Sequence, residues 1–194
     1  MLPLRGKILN VASAGREKLA QNQQLADLIQ ALGIGTGAKY RDEDLRYDRI
    51  IIMTDADVDG AHIASLLMTF FYQETPELIE NGHLYLAMPP LYRLSLKGDV
   101  AYARDERHRQ ELLETRFKGK KPDVTRFKGL GEMDFKDLKS TTMDPKARTL
   151  LKVEIHGSDK EAVADTVNAL MGSKPELRFR FIQEHAAFAK DLDI

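Results

Sequence analysis

The chain of 194 residues contains no cysteine and no tryptophan. The absence of cysteine excludes disulfide bonds, thiolate metal sites and a cysteine nucleophile, and it suits a protein of the cytoplasm. No apolar run approaches the roughly 18 residues that a membrane-spanning helix needs. The N-terminus also has no long apolar core of the kind found in signal peptides. We therefore expect a cytoplasmic protein that has no membrane partner.

The chain also lacks a strong charge of either sign. Its 29 Lys and Arg against 30 Asp and Glu residues give a formal net charge of -1 at pH 7. The net charge therefore does not indicate nucleic acid as a partner, and any basic surface must be local. The hydrophobic content of 43% is ordinary for a globular protein, and the length allows one or two domains.

One acidic stretch organises the rest of the sequence. Residues 50–53 form an apolar run typical of a buried, parallel strand. Asp55, Asp57 and Asp59 follow at alternate positions, and Gly60 allows a tight turn or a close backbone approach. Ligand sites in open α/β sheets lie at the carboxyl ends of strands. Because three adjacent carboxylates repel one another, we expect a cation among them.

The donor type limits which cation this stretch could bind. Carboxylate oxygens suit Mg²⁺, Mn²⁺ or Ca²⁺ and suit zinc poorly. The motif D-x-D-x-D-G also opens the EF-hand loop, but that loop follows a helix and needs Glu at the position where this chain has Leu66. Mg²⁺ held by one or two carboxylates and substrate phosphates fits better. The alternative is a solvated acidic turn that caps the next helix, for which one Asp would be enough.

Apolar periodicity and turn signals predict the remaining elements. A helix, a strand, the acidic turn, a helix and a strand follow in order, which indicates a parallel α/β unit in the first half. The further predicted helices cover residues 17–32, 61–71, 76–80, 104–117, 134–140, 159–171 and 175–189. The further strands cover 8–11, 83–88, 91–96 and 150–155, and a short strand that ends at Tyr102 should pair with 91–96 across a turn at 97–99.

Two short basic segments are candidates for anion binding. Residues 126–133 read R-F-K-G-L-G-E-M, with two cations and two glycines beside an aromatic ring. This composition is typical of contact with an anion such as phosphate, although a glycine turn with solvated cations is equally compatible. Arg5 and Lys7 flank a glycine in a second basic turn that is open to the same two interpretations.

The order of four motifs carries a resemblance to a known family. The motifs are P-L-R-G-K-I-L-N-V at 3–11, T-D-A-D-V-D-G-A-H-I at 54–63, P-P-L-Y at 89–92 and R-F-K-G-L-G-E-M at 126–133. Through them the chain resembles the B subunits of bacterial type IIA topoisomerases over nearly its whole length. The short segment between Leu96 and Arg126 is more similar to the topoisomerase IV branch, while the acidic motif is also gyrase-like.

The resemblance implies a fold and a division of the chain. It implies an α/β fold in which residues 1–97 form a Rossmann-like Toprim domain, N-terminally truncated because it lacks its first strand. An α+β C-terminal tail region would follow over residues 98–194, with the R-F-K-G-L-G-E-M motif and the terminal helices.

The resemblance also implies a chemistry. In this family the acidic motif binds Mg²⁺, for which Mn²⁺ or Ca²⁺ can substitute in binding, and supports reversible cleavage of duplex DNA. Asp55 would be shared between two metal positions, Asp57 would be the main ligand of the second, and Asp59 would support them directly or through water. A tyrosine of the partner A subunit would attack a DNA phosphate, forming a covalent 5′-phosphotyrosyl link and releasing the 3′-oxygen of the cleaved strand.

Further residues match family positions near DNA. The resemblance implies DNA contacts by Arg5, Lys7, His62, Arg126 and Lys128, which would neutralise and position phosphates. The first two also match the family's quinolone pocket. The complete enzyme of this family is an A₂B₂ heterotetramer.

The chain departs from the family pattern upstream of these motifs. The family's first Toprim strand ends in Glu-Gly-Asp-Ser-Ala, whose Glu is a metal ligand and a proposed acid–base group, and this motif is absent here. The family's ATPase and transducer domains are absent too, so ATP would act only outside this chain. We therefore expect a fragment without a complete catalytic set, which alone neither hydrolyses ATP nor cleaves DNA.

Two other functions stay open. A phosphohydrolase of the haloacid-dehalogenase type also ends a strand in D-x-D and would use Asp55 as its nucleophile, but its motif has Thr or Val where this chain has Asp59. A non-catalytic scaffold would bind metal at the acidic turn only for stability. Neither alternative explains four motifs in family order.

Overall fold

The computed structural model describes residues 1–55, 57–155 and 160–188. The chain divides into two compact units. The first unit comprises Met1–Asp48, Ser65–His83 and Glu154–Ile194, and the second comprises Arg49–Ala64 and Leu84–Val153. Within the described part of the chain, no helix combines the length and the apolar content that a bilayer crossing requires.

The predicted parallel strand pair lies in the second unit. Strand β1 (Ile50–Ile52) pairs in parallel with β2 (Leu84–Ala87), with Ile50 opposite Leu84. Two helices, α3 (Val58–Glu74) and α4 (Pro76–Glu80), connect these strands, as a parallel crossover requires. Strand β6 (Leu150–Lys152) pairs antiparallel with β2 and completes a three-stranded sheet.

A second, antiparallel sheet belongs to the same unit. Its central strand β3 (Tyr92–Leu96) pairs with β4 (Asp99–Ala103) and with β5 (Asp123–Arg126). Lys97 and Gly98 form the tight β3–β4 turn with positive φ angles of 49° and 88°, the conformation that two-residue hairpins favour. Strand β5 was not predicted, because all four of its residues are exposed and no apolar alternation marks it.

The core of this sheet is small and apolar. Leu94, Ala101, Ala103 and Phe117 are its buried members. Helix α5 (Glu106–Glu114) is shorter than predicted. It begins after Asp105, whose carboxylate accepts the backbone N–H of His108 at 2.7 Å, and this bond lowers the pKa of Asp105.

The first unit corrects the prediction of one helix over residues 17–32. The segment forms two helices, α1 (Arg16–Ala20) and α2 (Gln23–Leu32). Asn22 separates them, because its side-chain oxygen accepts the Leu25 N–H at 3.0 Å and caps the second helix instead of continuing the first. Gly33 ends α2 in the left-handed conformation that glycine adopts readily.

The predicted strand over residues 8–11 is wrong. Ile8 and Val11 are buried, but the backbone turns here, with the Ala14 N–H donating to the Asn10 carbonyl at 3.1 Å. Apolar residues at these positions therefore serve a buried turn, which short apolar spacing alone cannot distinguish from a strand.

The remaining helices follow the predicted order. The buried face of α3 includes Leu66, Leu67, Phe70 and Phe71. The C-terminal elements are α6 (Phe135–Leu138), a π-helical turn (Lys139–Met143), α7 (Lys160–Met171) and α8 (Pro175–His185). The predicted ends at residues 159 and 189 lie outside the described residues.

Candidate metal centre and nucleic-acid interface

The acidic turn (described at residues 55 and 57–60) begins just beyond the carboxyl end of β1. Asp55 is exposed, and its backbone lies against the first turn of α3. A Cβ atom on Gly60 would come within 2.0 Å of the Asp55 carbonyl oxygen and 2.9 Å of its backbone nitrogen. Only glycine fits this space, so the predicted close backbone approach is confirmed.

The other two carboxylates of the acidic turn lie at the start of α3. The Oδ1 atom of Asp57 accepts the Gly60 N–H at 2.7 Å, and its carbonyl accepts the Ala61 N–H at 3.0 Å. Asp57 therefore caps the helix, which begins at Val58 rather than at the predicted residue 61. Asp59 lies in the first helical turn, where negative charge is favoured. Of the three Asp residues, Asp57 therefore acts as a helix cap, and the cap engages only one of its two carboxylate oxygens.

The R-F-K-G-L-G-E-M motif meets the acidic turn. The Leu130 N–H donates to Asp55 Oδ1 at 2.7 Å across 75 residues of sequence. A Cβ atom on Gly129 would lie 3.0 Å from both Cγ and Oδ1 of Asp55. Sequence reasoning did not predict this contact, although the two glycines of the motif were a sign that something approaches the backbone there.

The glycine turn (residues 128–132) is closed by the side chain of Glu132, and buried residues anchor it on both sides. Glu132 Oε2 accepts the Lys128 N–H at 2.8 Å. Phe127 and Met133, which flank the turn, are buried. The Phe127 N–H also donates to the Leu91 carbonyl at 2.8 Å. The P-P-L-Y motif therefore anchors the segment that leads into the glycine turn.

A polar network fixes α6 to the β3–β4 hairpin. Tyr102 donates its hydroxyl hydrogen to Asp137 Oδ1 at 2.7 Å, and Arg93 Nε lies 3.5 Å from Asp137 Oδ2. Burial and the bond to Asp137 raise the pKa of Tyr102. No pattern in the sequence indicates this cluster, because its members are widely spaced along the chain.

The predicted DNA-binding residues divide between the two units. His62, Arg126 and Lys128 are exposed in the second unit, while Arg5 and Lys7 are exposed in the first. Arg126 ends β5, directly opposite Tyr92 of β3.

The local field around Arg126 is mixed in sign. A hydrogen bond to Glu106 raises the pKa of Tyr92, while the positive charge of Arg126 acts in the opposite direction. Arg109 and then Tyr92 bond to the Glu106 carboxyl and lower its pKa. Tyr92 therefore lies near one carboxylate, Glu106, and two cations, Arg109 and Arg126.

The donor set of the acidic turn fits a water-rich Mg²⁺ site. Among the described residues, no three His, Asp or Glu side chains converge as a metal-binding group. Asp55 and Asp57 each engage one oxygen with a backbone N–H, and all three Asp residues of the turn are exposed. Mg²⁺ takes oxygen donors, keeps several waters and needs only one or two carboxylates together with phosphates. The residues fit that coordination and do not form an all-protein cage.

Comparisons with known proteins agree with these motifs. The Toprim domain family matches residues 1–89, and the family described as DNA gyrase B subunit, carboxyl terminus, matches residues 119–183. The DNA topoisomerase 4 B subunits of Bartonella bacilliformis and Caulobacter vibrioides are each 67% identical over the whole chain, which spans 28% of their length. The DNA gyrase B subunit of Halalkalibacterium halodurans is 48% identical over the whole chain, which spans 30% of its length.

These matches confirm the fold and the family that the four motifs predicted. The chain spans less than a third of the curated relatives it matches. It belongs to the family of bacterial type IIA topoisomerase B subunits, of which it carries a Toprim region and a carboxyl-terminal region.

Proposed function

We propose that this chain is the part of a type IIA topoisomerase B subunit that supports Mg²⁺-dependent cleavage and religation of duplex DNA. The observation that carries the proposal is the contact between Asp55 and the glycine turn at the carboxyl end of β1. It brings candidate metal ligands and candidate phosphate-binding cations into one unit of the chain.

The acidic residues would hold the metal ion. Asp55 and Asp57 each keep one oxygen that the Leu130 and Gly60 N–H groups do not engage, and Asp59 adds a third carboxylate. Bound there, Mg²⁺ would supply the positive charge that stabilises the leaving oxygen of a DNA phosphate. Mn²⁺ or Ca²⁺ would replace it in binding.

The cationic side chains would hold the duplex. Arg126 at the end of β5 and Lys128 at the start of the glycine turn are exposed on either side of the buried Phe127, whose backbone is anchored to Leu91. Their contacts with phosphates would position DNA without reading its sequence. His62, Arg5 and Lys7 would add further phosphate contacts, with quinolone-type inhibitors binding near the last two.

The partner and the wider assembly follow from the same proposal. The A subunit would supply the tyrosine that attacks DNA, in an A₂B₂ heterotetramer that works in the cytoplasm. ATP hydrolysis would belong to a domain of the B subunit outside this chain. The change in DNA topology would be decatenation, relaxation or supercoiling. Within this chain, the Toprim region would end near residue 97.

A cleavage assay with a matched extension tests the proposal. This chain and a version extended upstream through the family's Glu-Gly-Asp-Ser-Ala strand are each mixed with A subunit, supercoiled DNA, Mg²⁺ and a quinolone. We expect trapped cleavage only with the extended version, and its loss on Asp55→Ala. Cleavage that survives Asp55→Ala, or no cleavage by either version, would contradict the proposal.

The Asp57 cap favours one second candidate, a scaffold in which metal only stabilises the fold. An Asp57→Asn variant separates the two functions, because its amide oxygen still caps α3. Loss of the thermal shift with Mg²⁺, together with full cleavage activity of the extended version, would favour the scaffold. Parallel loss of both would favour the cleavage role.

A further inference from the structure

We infer that the glycine turn is a positioning element that holds the Asp55 carboxylate in the orientation needed to bind metal. The inference rests on the proposed function, since it assigns a task to residues that touch a candidate ligand. It goes further by giving Gly129 and Glu132 roles that do not require contact with metal or DNA.

The first step is the hydrogen bond to Asp55. Its side chain is exposed, so packing alone does not fix its orientation. The Leu130 N–H donates to Oδ1 at 2.7 Å, and hydrogen bonds to ionised groups are roughly twice as strong as neutral ones. This bond selects one side-chain orientation and leaves Oδ2 for another partner.

The second step is the space at Gly129. Its φ of -162° is extended backbone that any residue adopts, so the position does not need glycine for its conformation. It needs glycine for room, because a Cβ atom would lie 3.0 Å from Asp55 Oδ1 and Cγ. A methyl group there would displace the carboxylate by a few tenths of an ångström without straining the turn.

The third step is the closure of the turn. Glu132 accepts the Lys128 N–H at 2.8 Å, and the Glu132 N–H donates to the Gly129 carbonyl at 3.2 Å. Glu132 therefore shapes the loop that presents the Leu130 N–H. It acts on Asp55 through the backbone, as residues that orient a metal ligand commonly do.

The same turn contains a matched control. A Cβ atom on Gly131 would meet nothing within 4 Å, and its φ lies outside the left-handed region. Gly129→Ala and Gly131→Ala add the same methyl group two residues apart. They differ in whether that methyl group reaches Asp55.

The experiment measures Mg²⁺ binding to the full chain by calorimetry and the Leu130 amide signal by NMR. We expect Gly129→Ala to raise the dissociation constant about tenfold, the lower end for partners of metal ligands, and to shift the Leu130 amide signal. Gly131→Ala should leave both unchanged, and the melting temperatures of the two variants should agree. Glu132→Ala should weaken binding, and Glu132→Gln, which keeps an accepting oxygen, should restore it.

The outcomes distinguish the inference from the proposed function. If Asp55→Asn abolishes Mg²⁺ binding while Gly129→Ala matches Gly131→Ala, the positioning role is overturned and the metal site stands. If Glu132→Gln binds Mg²⁺ as weakly as Glu132→Ala does, the bond from the Lys128 N–H to Glu132 does not position Asp55, and the role given to Glu132 is overturned. If the unchanged chain and its upstream extension bind no Mg²⁺, the metal role of Asp55 fails and the inference fails with it.

Discussion

The helical face in the first unit and the paired turns in the second are held by different forces. Phe70 and Phe71 are 1% exposed, so their helix is fixed by apolar surface removed from water. Asp55 and Asp57 are exposed and are held by single backbone hydrogen bonds. Stability and candidate chemistry therefore depend mainly on different residues, and a substitution on the buried face should affect stability more than metal binding.

The largest expected effect is on the buried face. Phe70→Ala removes a buried ring that packs edge-on against Phe71 at 5.4 Å, and we expect the free energy of unfolding to fall by about 3–5 kcal/mol. Chemical denaturation measures it. Phe179→Ala is the control, because this ring is 61% exposed and its loss should change stability by less than about 0.5 kcal/mol. Equal effects would show that the described burial is wrong.

Gly60→Ala should damage both properties. The new Cβ atom would lie 2.0 Å from the Asp55 carbonyl oxygen, so the backbone of the acidic turn must move. We expect a loss of about 1–3 kcal/mol in unfolding free energy, together with weakened Mg²⁺ binding. Thermal denaturation and calorimetry measure the pair. Gly131→Ala, which meets open space, should lower neither, and a wild-type result at position 60 would refute the close approach.

Substitutions at Asp57 should separate capping from metal binding. Asp57→Ala removes the acceptor for the Gly60 N–H, and we expect a loss of about 1 kcal/mol in stability. Asp57→Asn keeps an accepting oxygen and should retain most of that stability while weakening Mg²⁺ binding. Denaturation and calorimetry on the same samples provide the comparison. If Asp57→Ala were as stable as the wild type, Asp57 would not be the cap.

A smaller effect, with a pH signature, is expected at Tyr102. Tyr102→Phe removes the hydroxyl that bonds to Asp137, and we expect a loss of about 1 kcal/mol at neutral pH. Because burial raises the folded-state pKa of Tyr102, this contribution is full below the unfolded pKa of about 10. It is lost as pH rises through the higher folded value.

Denaturation across the alkaline range checks the sign of this effect. The stability gap between wild type and Tyr102→Phe should narrow as the pH rises. The control is Tyr47→Phe, since Tyr47 is 53% exposed, and it should differ little from wild type at every pH. A gap that widens with pH would contradict the raised pKa.

The sequence predicted the elements that depend on local periodicity. The apolar run before Asp55 is strand β1, and the spacing of Leu66, Leu67 and Phe70 marks the buried face of α3. The sequence also predicted that the acidic turn follows the end of a strand. These features depend on neighbours within a few positions, where residue spacing records burial directly.

The contacts that define the candidate site could not be predicted in the same way. The bond from Leu130 to Asp55 spans 75 residues and uses a backbone donor, which any residue type would supply. Asn22 could have continued a helix or capped one, and only the folded backbone shows which. Helix α3 likewise begins at Val58 and not at the predicted residue 61, because Asp57 caps it there.

The most direct test of the account locates the metal ion itself. Sub-stoichiometric Mn²⁺, which is paramagnetic and takes the same oxygen donors, is added to the isotope-labelled chain while backbone amide signals are recorded by NMR. If Mg²⁺ binds at the acidic turn, the signals of Asp55, Asp57, Gly60 and Leu130 should broaden first, and excess Mg²⁺ or Asp55→Asn should restore them. Broadening that begins instead at the 3-10 helix Asp42–Asp44, or that persists in Asp55→Asn, would contradict a metal site at Asp55.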